Sequence, residues 1–122
     1  MGARREVSET AVLEKIRTWQ EPFRSYGFRL HHVILEAVPE LTPRLWYGMP
    51  GYGKGSGPVL CFFRADDRFM TFGLTDKAHL EREPGQPDQL MPSAWFFTSL
   101  DEPTERRIAA IVRRAAAGHR ST

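Results

Sequence analysis

The stretch Trp46-Tyr47-Gly48-Met49-Pro50-Gly51-Tyr52-Gly53-Lys54-Gly55-Ser56-Gly57-Pro58, followed by Val59-Leu60-Cys61-Phe62-Phe63, decides how the chain is read. It holds five glycines and two prolines between an aromatic pair and an apolar run. Glycine at this density signals sharp turns, close backbone approach or positive φ. The stretch also separates two patterns: apolar residues at helical spacing precede it, and strand-like alternation follows it.

Upstream, Ser8-Glu9-Thr10 offers an N-cap with an acid in the first turn. Val12, Leu13, Ile16 and Trp19 then recur at helical spacing, and this first helix ends before Pro22. A second helix carries Phe23, Tyr26, Leu30, Val33, Ile34 and Ala37 on one stripe. Gly27 weakens its early turns and Pro39 ends it. Glu40 to Trp46, interrupted by Pro43, reads as one more helical turn leading into a glycine-rich loop. Tyr52 and its neighbours can add a short strand there.

Downstream, Val59–Arg64 and Arg68–Leu74 read as strands joined by a hairpin turn at Ala65-Asp66-Asp67. Thr75-Asp76 can cap a brief helix through Leu80, and the proline-rich, acidic segment Glu81–Pro92 is a loop. Ala94–Ser99 is a further strand. Asp101-Glu102-Pro103 starts a last helix whose apolar stripe is Ile108, Ile111, Val112 and Ala115, fraying near Gly118. The sum is one α+β domain with an ordered core of about residues 8–117. It is a two-layer sandwich: two N-terminal helices, an antiparallel meander of three to five strands, a short helix, and a C-terminal helix on the same face.

The 122 residues suffice for a single core, and 41% hydrophobic with 26% charged residues is ordinary for a globular chain. Seventeen Lys and Arg against fifteen Asp and Glu leave +2, too little to imply a nucleic-acid partner. The lone cysteine, Cys61, excludes an intrachain disulfide, and its apolar flanks suit a buried thiol. No apolar run reaches the ~18 residues of a membrane span. The N-terminus has no signal-like segment, so the expected location is cytoplasmic.

Pro39-Glu40-Leu41 and Trp46-Tyr47-Gly48-Met49-Pro50-Gly51-Tyr52 together resemble the core motif of the YdhG-like domains of unknown function. These are grouped with the YjbR/CyaY-like and frataxin-like folds. Supporting matches are Phe62-Phe63, Phe72-Gly73-Leu74, Asp76-Lys77-Ala78 and the helix from Leu100 through Ala115, so the resemblance covers roughly residues 9 to 116. One departure is Gly51, where alanine is usual. The resemblance implies a two-layer α+β fold and, for some members, a frataxin-like iron-chaperone role binding Fe(II). Glu9, Glu14 and His79 would be the residues to test for it. Here Glu6, Glu9, Glu14 and Glu21 are interleaved with Arg4, Arg5, Lys15 and Arg17 rather than forming an acidic ridge.

Other chemistry is thinly represented. Gly48 to Gly55 nearly fits the phosphate-loop pattern, but Gly55 stands where the magnesium-binding hydroxyl belongs, and the expected strand–loop–helix context is missing. His32 and Glu36 share a helix face at i,i+4 beside His31, and His79 lies near Asp76 and Glu81; neither set supplies the three or four donors a transition metal prefers. Arg106, Arg107, Arg113 and Arg114 form a basic stripe suited to phosphate or simply to water. No serine elbow or acid–base carboxylate pair is present, so no catalytic residue and no cofactor are expected.

The expected function is therefore that of a non-enzymatic binding domain recognising a small ligand or a protein, with neither nucleic acid nor membrane as partner, as monomer or homodimer. Tyr47, Met49, Tyr52 and Lys54, with an adjacent sheet face, are its candidate ligand-binding residues. The ten aromatic residues from Trp46 onward suit packing of a short sheet or a dimer interface better than the lining of a groove.

Overall fold

The computed structural model describes residues 2–117. Its elements are α1 (Gly2–Arg17), α2 (Phe23–Ala37), β1 (Leu41–Trp46), β2 (Met49–Lys54), β3 (Val59–Ala65), β4 (Met70–Leu74), β5 (Ala94–Phe97) and α3 (Glu102–Ala117). The strands form one five-stranded sheet in the order β1-β2-β3-β4-β5, antiparallel at every junction. Three helices lie on one side of this meander, giving the expected two-layer α+β sandwich.

The core forms where the apolar stripes of the helices meet alternate strand residues. Val12 and Ile16 of α1, Leu30 and Ile34 of α2, and Ile108, Ile111 and Val112 of α3 pack with Leu41, Tyr52, Phe63, Met70 and Phe72. Burial of each large side chain contributes about 1.5–3 kcal/mol, which dominates the local preferences of the strands. Trp19 meets Phe63 edge-on at 5.8 Å, and Phe72 stacks with Trp95 at 5.9 Å. Gly27 turns out to be a packing device. A Cβ there would lie 2.7 Å from the Trp19 ring and 2.8 Å from Ile16, so glycine lets the end of α1 settle on α2.

At α3 the expected start is confirmed. The Thr104 N–H donates to Asp101 Oδ1 at 3.1 Å, while Glu102 and Glu105 occupy the positive end of the helix dipole. The expected fraying near Gly118 falls outside the described residues.

Three expectations are corrected. Helix α1 begins at Gly2, not near Ser8, whose hydroxyl instead donates to the Arg5 carbonyl inside the helix. Glu40–Trp46 is not a helical turn: Leu41–Trp46 is edge strand β1. An edge strand tolerates Pro43 because half its backbone groups need no ladder partner. Arg5 from α1 covers part of that edge, donating to the Leu41 carbonyl at 2.9 Å. The short helix over Thr75–Leu80 is replaced by turns. There Thr75 Oγ1 donates to the Val59 carbonyl at 2.6 Å and accepts from the Lys77 N–H at 3.1 Å. The His79 N–H is spent on the Ala115 carbonyl of α3.

Candidate functional site

The glycine-rich stretch resolves into a hairpin. Tyr47 and Gly48 are the two central residues of the β1–β2 turn, with φ of 52° and 76°. A two-residue turn of this kind requires positive φ at both positions, which suits glycine or asparagine far better than tyrosine. Tyr47 therefore carries strain of the order of 1 kcal/mol. Its ring is 84% exposed and stands edge-on to Trp46 at 4.7 Å. Gly53 is required by close approach, since a Cβ there would lie 2.4 Å from the Pro58 carbonyl oxygen. What resembles a phosphate loop is thus strand β2 and its flanking turns, and Lys54 Nζ pairs with Glu40 at 3.3 Å.

The side of the sheet away from the helices has no covering element among the described residues. Register places Arg44 opposite Gly51, Gly51 opposite Phe62, and Phe62 opposite Gly73 on this side. The glycines make room for rings to lie flat: a Cβ on Gly73 would sit 2.5 Å from the Phe62 ring. Trp46 and Phe62 are 5.2 Å apart, as are Phe69 and Phe96, and Phe96 is 67% exposed. Met49, opposite Trp46, and Arg64, opposite Thr71, share this face. Its strand positions include Arg44 and Arg64 but no carboxylate. Asp66 in the adjoining turn is engaged by the N–H groups of Arg68 and Phe69, which hold its carboxyl below the usual range.

The candidate ligand residues are accordingly divided. Tyr47 and Met49 belong to the open side and its hairpin tip, Lys54 lies at the far end of β2, and Tyr52 points into the core with no exposure. Tyr52 stacks with Phe63 at 6.0 Å and its hydroxyl lies 2.7 Å from His31 Nδ1. His31 Nε2 in turn lies 2.8 Å from Glu9 Oε2. With neutral imidazole, the Tyr52 hydroxyl donates to Nδ1 and the Nε2 N–H donates to the Glu9 carboxylate. Burial, with lesser contributions from Cys61 and Glu9, pushes the Tyr52 phenol well up, so it stays protonated. This line ties α1, α2 and β2 through the core. Sequence spacing did not show it, because His31, Tyr52 and Glu9 come from three elements joined only by packing.

The remaining candidates are accounted for by neighbours. Cys61 is buried and its thiol is pushed up to about 12 by burial, which leaves little thiolate at neutral pH. His32 faces Glu36 at 3.7 Å, His79 faces Glu81 at 2.8 Å, and Glu14 lies 3.9 Å from Arg17. Among the described residues no three His, Cys, Asp or Glu side chains gather as a metal site. The concavities among the described residues include a cleft of about 300 Å³ between α3 and the segment 74–95, and a shallower one of about 180 Å³ between α2 and α3. Neither lies on the open face. Among the described residues no helix is long and apolar enough to cross a membrane. Comparison with protein-family models, with curated proteins and with solved structures returns no match for this chain.

Proposed function

We propose that the chain is a binding domain whose working surface is the open face of the sheet with the Trp46–Met49 hairpin, and that its partner is an acidic protein segment. The supporting observation is two tilted pairs of aromatic rings, Trp46 with Phe62 and Phe69 with Phe96, beside two arginines with no acid among the strand positions between them. Trp, Tyr, Phe, Met and Arg are the side chains enriched at the centres of protein interfaces. Neither of the clefts described above lies on this face, which favours a macromolecule over a small molecule, since the latter needs a concavity. A net charge of only +2 favours a protein over a phosphate backbone. The strain at Tyr47 fits the same reading, because a side chain held outward at a conformational cost is one expected at a contact site.

The experiment is a titration of the isotope-labelled chain with a synthetic Glu- and Tyr-rich peptide, read by amide chemical shifts. Saturable shifts confined to the Arg64, Thr71 and Phe96 region, lost in the Tyr47→Ala, Phe96→Ser double variant, support the reading. Absence of such shifts rejects it. Tighter binding of oligothymidylate, or closure of this face by self-association in sedimentation, rejects the acidic-protein assignment in favour of that occupant.

A further inference from the structure

The cleft between α3 and the segment 74–95 is a concavity separate from the open sheet face. Its floor is apolar: Leu74, Trp95 and Ile111 line it. Its α3 rim is built by spacing, since Arg107 and Arg114 are seven residues apart and so lie two turns apart on one side, with Ile111 between them. The opposite rim is carried by His79, Glu81, Arg82 and Glu83, and the His79 N–H is anchored on the Ala115 carbonyl at 3.0 Å. That bond satisfies a carbonyl in the last turn of the helix and holds the rim against α3.

The charges on the rim are unequally used. Glu81 serves both His79, at 2.8 Å, and Arg114, at 3.9 Å. Arg107 has no carboxylate within ion-pair distance among the described residues, while its neighbour Arg106 is paired with Glu102 at 3.2 Å. The cleft thus combines Arg107 without an ion pair, Arg82, which donates to the Asp88 carbonyl at 3.0 Å, Arg114 at long range from Glu81, the carboxylates of Glu81 and Glu83, and an aromatic and aliphatic floor. A guanidinium recognises a carboxylate through two parallel N–H donors. A volume of about 300 Å³ lies at the small end of ligand pockets.

We infer that this cleft binds a compact aromatic carboxylate, with the carboxylate on Arg107 and the ring against Trp95 and Ile111. No covalent step is involved.

The test uses the full chain, phenylacetate as probe, and phenylacetamide and inorganic phosphate as comparisons. Amide and indole shifts are followed in isotope-labelled protein. Phenylacetate is expected to give saturable shifts at Trp95, Ile111, Leu80 and Ala115, with phenylacetamide and phosphate each at least about tenfold weaker, as loss of one charge-assisted contact or of the ring contact requires. Arg107→Gln is expected to weaken phenylacetate about tenfold at an unchanged thermal midpoint, and Arg107→Lys by less. Arg113→Gln, outside the cleft, is the control. Equal binding of acid and amide, equal binding of phosphate, shifts on the open sheet face instead of the cleft, unweakened binding by Arg107→Gln, or no saturable shift with phenylacetate would each overturn the assignment.

Discussion

Phe62 and Phe63 are adjacent in sequence and project to opposite sides of the same strand, and their surroundings differ completely. Phe63 is fully buried beneath the helices, between Tyr52 and Trp19. Phe62 lies over Gly73 and beside Trp46 on a side that no helix covers among the described residues. Both faces carry aromatic rings, so hydrophobicity does not distinguish them. The distinction comes from the small residues around the rings and from which helices fold back. On the covered face, bulk meets bulk across about 10 Å of core; on the open face, glycines hold the rings low and arginines flank them.

The largest effect expected from this difference is in stability. Phe63→Ala should cost about 3–5 kcal/mol in urea unfolding, whereas Phe96→Ala should stay within about 0.5 kcal/mol. Losses of similar size would mean that the open face is covered in solution, and the comparison would break. Tyr52→Phe should cost about 1–3 kcal/mol by the same measurement, because His31 Nδ1 loses its partner in the core while the ring packing is kept. A neutral result would show that water reaches the Glu9–His31–Tyr52 line.

Tyr47→Asn runs the other way. Asparagine accepts positive φ more readily, so the variant should gain up to about 1 kcal/mol while binding of the acidic peptide weakens. Loss of stability there would point to the Trp46 contact as the reason for tyrosine.

The smallest effect concerns Glu105, whose carboxyl is held below its usual range chiefly by the hydrogen bond from Arg29, at 2.8 Å. A depressed folded value means that the stabilisation is complete above the ordinary carboxylate range and fades as pH falls through the folded value. The stability gap between the natural chain and Glu105→Gln should therefore be present at neutral pH, small because Arg29 is exposed, and vanish on acidification. A gap that persists in acid would assign it to packing instead.

The elements themselves were largely legible. Helical spacing in α2 and α3, the Asp101 cap, and the hairpin around Asp66 follow from local periodicity and turn chemistry, which act over a few residues. Where local signals conflicted, as at Pro43 in β1, the proline suggested a break while the strand needed only an outer edge to accommodate it. That edge exists only once β2 is in place. Tyr52 shows the same limit for the candidate site: alternation puts Gly51 and Tyr52 on opposite faces, but nothing local says which face the helices take.

By itself, then, the sequence determined the α+β class, the order of most elements and the burial of Cys61, because each depends on short-range pattern and composition. Only the tertiary structure decided that Tyr47 stands exposed while Tyr52 is buried on His31, and that Arg107 and Trp95 meet in one cleft. Those pairings join residues far apart in the chain, and their contact depends on which apolar faces bury together.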